Sequence, residues 1–291
     1  MNNKSKAVLY MILSSVAFAF MAAMVKLAGD IPVMEKVIFR NLVSLIIAFF
    51  ALKKNGATLF GKRENQKYLL GRSLLGTIGV VLYFYSISKL SLADSSMLNK
   101  LSPFFITLFA IIFLKEKLTS MKVISTIIVF LGAMLVIKPQ WDLSVIPATA
   151  GFLSAAFAGG AYTLVRFLKD RENPSTIVFY FSLVSVLGMI PFVIFNFKPI
   201  TTIQCLYLIS TGIFAAIAQF ALTYSYKYAP ASEVAIYNYT NIVFSAIIGF
   251  FIWREIPDYL SIIGGLIIIS IAILVYIKDK KEYVKSLNYN R

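Results

Sequence analysis

Lys100 stands out as a charge inside a long apolar stretch, with polar neighbours at helical spacing. Ser96 and Pro103 share its helical face by the i, i+4, i+7 rule, and Asn99 borders that face. On a helix that enters a membrane near Ala93, the ammonium lies roughly 10 Å deep at about 1.5 Å of rise per residue. An ionisable group at mid-helix costs about 2.5–3.5 kcal/mol on insertion scales, so its retention calls for a function. One chemistry is charge pairing with an anionic group of a ligand; another is neutralisation of Glu233. A lysine whose stem reaches back to the interface would look the same in sequence, and these readings stand level. A second polar wedge is aligned with the first: Glu233, Tyr237, Asn238, Thr240 and Asn241. In this register Asn238 falls opposite Lys100, and Tyr237 opposite Asn99. Either wedge would be penalised on lipid, whereas two facing each other make a wet cavity.

Other candidates are weaker. Arg40 is as deep as Lys100; its plainer role is a guanidinium bonded to backbone carbonyls or to Asp94, and its other role is in gating. With Lys26 at the rim of the first span, Arg40 and Lys100 bias one half of the cavity positive, which favours a ligand bearing a carboxylate or phosphate. Glu233 stands in the first turn after Pro230, where a helix N-terminus stabilises a carboxylate; a buried carboxylate there could also couple proton movement. Glu116 and Glu255, flanked by Lys115, Lys117 and Arg254, read as helix-end ion pairs that lock loops or gates. Tyr162 and Tyr237 lie deeper than the interfacial tyrosines and could stack on a ring or a quaternary ammonium. Gln219 and Thr223 share one face of the eighth span. Gly159 and Gly160 read as close helix packing.

Several chemistries are excluded at once. The chain has no histidine and a single cysteine, Cys205, so His-based metal sites, His triads and intrachain disulfides are ruled out. No Gly-x-x-x-x-Gly-Lys-Ser/Thr loop is present, and with few intramembrane acids a convergent catalytic set is hard to assemble. Neither a cofactor nor a metal is expected.

The elements that must position these residues follow from composition. Of 291 residues, 59% are hydrophobic and 14% charged, with mean hydropathy +0.81, an apolar excess that a globular core does not absorb. Runs long enough to cross about 30 Å of hydrocarbon fall near 7–28, 33–52, 66–88, 93–114, 119–138, 144–167, 174–195, 203–225, 231–252 and 258–277. Short polar loops connect them, leaving little outside the bilayer except a tail. Lysines and arginines concentrate on the segments that share a side with the N-terminus, so both termini are expected in the cytoplasm. The same bias accounts for the net charge of +15 through anionic lipid rather than nucleic acid.

An internal repeat runs through the chain. Lys89–Leu90–Ser91–Leu92–Ala93–Asp94–Ser95 corresponds to Lys227–Tyr228–Ala229–Pro230–Ala231–Ser232–Glu233, and Leu114–Lys115–Glu116 to Trp253–Arg254–Glu255. Ala133–Met134–Leu135–Val136 corresponds to Ala272–Ile273–Leu274–Val275, and Met24–Val25–Lys26 to Leu164–Val165–Arg166. Because each half holds an odd number of spans, the second enters the membrane inverted. The expected fold is therefore an all-α integral membrane protein of ten transmembrane helices in two inverted five-helix repeats, residues 1–140 and 141–278, with a cytoplasmic tail at 279–291.

The chain resembles the EamA type of the drug/metabolite transporter superfamily. The resemblance is carried by Lys26, Phe39–Arg40–Asn41, Pro103, Lys115–Glu116–Lys117 and Val129–Phe130–Leu131–Gly132–Ala133, echoed by Trp253–Arg254–Glu255 and Ile262–Ile263–Gly264–Gly265. One departure is the ninth span, where Asn241 aligns with Pro103 and the family often keeps a proline. The resemblance implies a secondary transporter of the cell membrane that moves a small metabolite by alternating access, without naming the substrate; the basic residues point to an organic anion or an amino-acid-like compound. Its substrate site would lie between the fourth and ninth spans, bordered by the first, third, sixth and eighth. Asn99, Lys100, Tyr162, Gln219, Tyr237, Asn238 and Asn241 are the candidate substrate ligands; Glu233, Arg40, Glu116 and Glu255 are the candidates for coupling or gating. A flippase for a lipid-linked head group is the alternative, and a membrane-embedded enzyme is the less favoured one. A homodimer is left open.

Overall fold

The computed structural model describes residues 3–114, 120–138, 145–168, 170–229 and 234–289. Among them every regular element is helical. The first half contains α1 (Asn3–Leu27), α2 (Val33–Asn55), α3 (Gln66–Lys89), α4 (Leu92–Asn99), α5 (Ser102–Leu114) and α6 (Ser120–Ile137). The second contains α7 (Ile146–Leu168), α8 (Pro174–Asn196), α9 (Thr202–Tyr228), a 3-10 helix (Ala235–Tyr239), α10 (Thr240–Trp253) and α11 (Tyr259–Tyr289). Matched to the expected runs, α4 with α5 makes the fourth of the ten spans, and the 3-10 helix with α10 makes the ninth. The last helix continues into the tail, through Tyr289.

Local chemistry sets several helix ends. Gly56 closes α2 in the left-handed conformation, with its N–H bonded to the Leu52 and Lys53 carbonyls. Thr201 and Gln204 form a reciprocal capping box at the start of α9. The Ser91 hydroxyl accepts from the Asp94 N–H to open α4. Among the described residues seven helices, α3 counted from Arg63 and α10 from Ile236, are long and apolar enough to cross a membrane on their own. The fourth span falls short because it is broken, the fifth because its described apolar stretch is Val123–Ile137, and α2 because Arg40 lies between Glu35–Lys36 and Lys53–Lys54.

Packing between the halves obeys an exchange rule. α1 packs along α9 as α3 packs along α7, and α2 meets α9 as α3 meets α8. α1 lies against α10 as α4 and α5 lie against α7, while α2–α8, α4–α10 and α6–α11 are pairs that map onto themselves. That is the contact pattern of two inverted repeats about an in-plane pseudo-two-fold. It also means that neither half has a private core: the main partner of α1, α2 and α3 lies in the other half each time.

The self-paired α6 and α11 are held by glycines. A Cβ at Gly264 would lie 2.5 Å from the Gly132 carbonyl oxygen, and one at Gly132 would lie 3.1 Å from the Gly264 oxygen. Only paired glycines let the two backbones approach so closely.

Candidate functional site

Both spans expected to face each other lose regular α-helical geometry at their middle, by different means. In the fourth, the residue four before Pro103 is Asn99, whose carbonyl can receive no N–H from the proline ring; α4 ends there, and Lys100 and Leu101 form a turn before α5. In the ninth there is no proline. Val234 leads into the 3-10 turn, and the Thr240 hydroxyl donates to the Tyr237 carbonyl at 2.7 Å, competing with the backbone ladder. The Lys100 ammonium donates to Asn238 Oδ1 at 3.0 Å, so the two breaks touch.

Around the breaks the hydrogen bonds repeat. Asn99 Nδ2 donates to Ser154 Oγ of α7 at 3.0 Å. Ser15 Oγ of α1 lies 3.4 Å from both the Asn238 backbone carbonyl and Oδ1. Ser15 Oγ also lies 3.3 Å from the Tyr237 carbonyl, so each break is tied through a serine to the helix that opens the other half.

Beside the fourth-span break lies a cavity of about 60 Å³, room for a few waters and well below the roughly 300 Å³ of a ligand-filled pocket. Its walls are Phe18 and Met21 of α1, Arg40 of α2, and Arg72, Gly76, Gly79, Val80, Tyr83 and Phe84 of α3. Asn99 and Lys100, Ala158, Ala161 and Tyr162 of α7, Phe181 of α8, and Gln219 of α9 complete it. Arg40, Arg72 and Lys100 are all at least 95% shielded, at 3%, 2% and 5% exposure. The Arg72 guanidinium stacks 3.7 Å from the centroid of the Phe181 ring, and that of Arg40 lies 5.3 Å from the same centroid. Arg40 Nη1 donates to Asn41 Oδ1, and Asn41 passes a bond on to Ser185 at 2.7 Å. Arg40 Nε, Arg72 Nε, Arg72 Nη1 and Gln219 Nε2 are buried donors without an acceptor. Among the described residues no carboxylate lines the cavity. The lining is rich in donors, poor in acceptors and positively charged.

The structure brings Asn99, Lys100, Tyr162, Gln219 and Arg40 of the sequence candidates together here. Arg40 is bonded to Asn41 rather than to backbone carbonyls or Asp94. Tyr237 packs instead in an apolar cluster with Ala7, Met11 and Leu222. Asn238 reaches the site only through Lys100, and Asn241 is occupied in donating to the Ser15 carbonyl at 2.9 Å. Glu116 and Glu233 lie outside the described residues. Sequence reasoning missed Arg72 and Phe181. Arg72 carried the same signal as Lys100, a charge within an apolar run, but its polar company comes from other helices and not from its own face.

Glu255 is remote from the cavity, at the bundle face opposite the termini. There it pairs with Lys26 and accepts the Leu92 N–H at 2.9 Å, while the Lys26 ammonium also donates to the Leu90 carbonyl at 2.8 Å. This ties the end of α1 to the start of α4 and the end of α10. Lys36 adds bonds to the Val25 and Gly29 carbonyls at 3.1 and 2.8 Å. These bonds join α1, α2, α4 and α10 on that face.

Comparison with known proteins bears on this geometry. Residues 5–138 and 146–277 each match the EamA-like transporter family. The chain is 35% identical over 277 residues to a pseudopaline exporter of Pseudomonas aeruginosa, covering 94% of this chain and 96% of that one. It is 23% identical to a riboflavin transporter of Vibrio cholerae, over 94% of each chain. It is 24% identical to an S-adenosylmethionine uptake transporter of Rickettsia bellii, over 88% and 91%. A crystal structure sharing 16% identity superposes with a TM-score of 0.69 over 95% of this chain and 98% of that chain, which shows the same fold.

Proposed function

Because the chain belongs to the EamA-like transporter family and is a multi-pass small-metabolite transporter, we propose that its cargo is a small organic anion. The observation that carries this reading is the set of buried guanidinium N–H groups of Arg40 and Arg72 that have no acceptor. A buried donor left unmade costs about 1–3 kcal/mol, more when charged, and a carboxylate or phosphate supplies the missing acceptors in the bidentate geometry that arginine favours. Arg40, Arg72 and Lys100 hold the charge, Asn99 and Gln219 bond polar substituents, and Tyr162 closes the site.

The protein works in the cytoplasmic membrane with both termini inside, as the distribution of lysine and arginine supports. The first repeat is residues 1–140 and the second 141–278, followed by a cytoplasmic tail, and the family match divides within those limits. The clamp of Lys26 and Glu255 is then the extracellular gate. Transport proceeds by alternating access, the two repeats exchanging conformations around the central cavity.

Thermal-shift measurements on the purified protein in detergent test the reading, using organic anions, zwitterionic amino acids and aromatic or quaternary cations. A ligand at about 100 times its Kd adds roughly 2.7 kcal/mol of apparent stability. Anions should stabilise the native protein and not an Arg72→Gln variant. Stabilisation by cations alone, or anion hits indifferent to Arg72, would overturn it.

A further inference from the structure

We infer that the substrate carries two anionic groups, one bound between Arg40 and Arg72 and the other at Lys100. The inference rests on the anion-site reading above and narrows it. The three cations are not one cluster. Arg40 and Arg72 come from α2 and α3, and both guanidiniums stand over a single ring, Phe181 of α8. Lys100 comes from the break after α4, its ammonium 5.5 Å from the centroid of a different ring, Phe18 of α1, and 3.0 Å from Asn238 Oδ1. The cavity therefore has a guanidinium pole and an ammonium pole on separate walls, both opening on the same space.

Each pole lacks something. At the guanidinium pole three N–H groups have no acceptor, about what one carboxylate or phosphate satisfies. At the ammonium pole the described residues provide one neutral oxygen for three donors. A monoanion satisfies one pole and leaves the other charge buried, among the described residues, beside neutral groups, which is the costly arrangement for a buried ion. A substrate with two anionic ends answers both. It also bridges the walls built by α2, α3 and α8 and by α1, α4 and the 3-10 turn.

The test compares probes matched in length but not in charge: butyrate with succinate, and hexanoate with adipate. Kd is read from thermal shifts of the full chain in detergent and inhibition from counterflow in proteoliposomes. The dianions should bind at least tenfold more tightly than their partners. Lys100→Gln should remove most of that preference, the dianions losing at least tenfold more affinity than the monoanions lose, and Lys100→Arg should restore it. Equal binding of mono- and dianions by the native protein overturns the two-pole inference while the anion site stands, whatever the variants do. Binding of only neutral or cationic compounds overturns both.

Discussion

The two halves of this transporter share a fold but not a chemistry. All three cations of the cavity, Arg40, Arg72 and Lys100, belong to the first half. The second contributes Tyr162, Phe181 and Gln219 and, among the described residues, no charge. Yet each broken span is tied to a neighbour by a bond of the same kind, an amide side chain to a serine: Asn99 to Ser154, and Asn238 to Ser15. Both halves break their central span, but only the first supplies charge to the cavity. The sharpest way to break this comparison is to remove charge from one side and polarity from the other. Arg72→Gln should lower transport by about ten- to a hundredfold, the worth of roughly 1.5–3 kcal/mol for hydrogen bonds to a charged group. Gln219→Leu in the second half should cost less than about tenfold, as a neutral hydrogen bond is worth roughly 1 kcal/mol. Counterflow rates normalised to inserted protein decide it, and equal losses would mean that recognition is shared between the halves.

Packing away from the cavity belongs to both halves equally, so damage there should lower stability without altering selectivity. Gly264→Leu places a side chain where even a Cβ meets the Gly132 carbonyl at 2.5 Å. Overpacking of this kind costs about 1–3 kcal/mol, seen as a lower unfolding temperature with ligand ranking unchanged. A changed ranking would show that the α6–α11 pair shapes the site.

Much of this was legible from sequence. The length of the apolar runs located the spans, and the odd number in each half required inversion. Lys100, Arg40, Asn99, Tyr162 and Gln219 could be picked out because a polar side chain inside an apolar run is conspicuous. What was not legible is which walls meet. Arg72 is conspicuous in the same way, but its stacking on Phe181 depends on how α3 crosses α8, which no local spacing records. The 3-10 turn advances the chain by a different angle per residue than an α-helix, which is why Tyr237 packs with Ala7, Met11 and Leu222 and Asn241 bonds the Ser15 carbonyl, contacts that helical spacing alone does not give.

The amide side chains at the two breaks supply a finer test. Asn99→Ala and Asn238→Ala each delete a hydrogen bond to a serine of another span, worth about 0.6 kcal/mol and at most roughly 1.7 between membrane helices. If the breaks were symmetric in every respect, the two variants would lose equal stability. Asn238 also holds the Lys100 ammonium, so its loss should be the larger. In the Lys100→Gln background that excess should shrink, which a double-mutant cycle measures. A cycle that gives no coupling would detach Lys100 from the second half.

The smallest effect is expected at the clamp between Lys26 of the first half and Glu255 of the second, half-buried at the face opposite the termini. Glu255→Gln keeps an acceptor for the Leu92 N–H and removes only the ion pair. A partly exposed pair contributes about 0.2–1 kcal/mol and is screened by salt, so the loss of stability should be slight at low ionic strength and vanish near 1 M. The kinetic consequence should exceed the thermodynamic one, because the pair joins α1, α4 and α10 at one point, and weakening it favours the state open on that face. Counterflow in proteoliposomes should then be faster in Glu255→Gln at low salt and match the native protein at high salt. A rate that is unchanged at both would make Lys26 and Glu255 an anchor of helix ends, and would leave that face to be held by Lys36 and the carbonyls of α1.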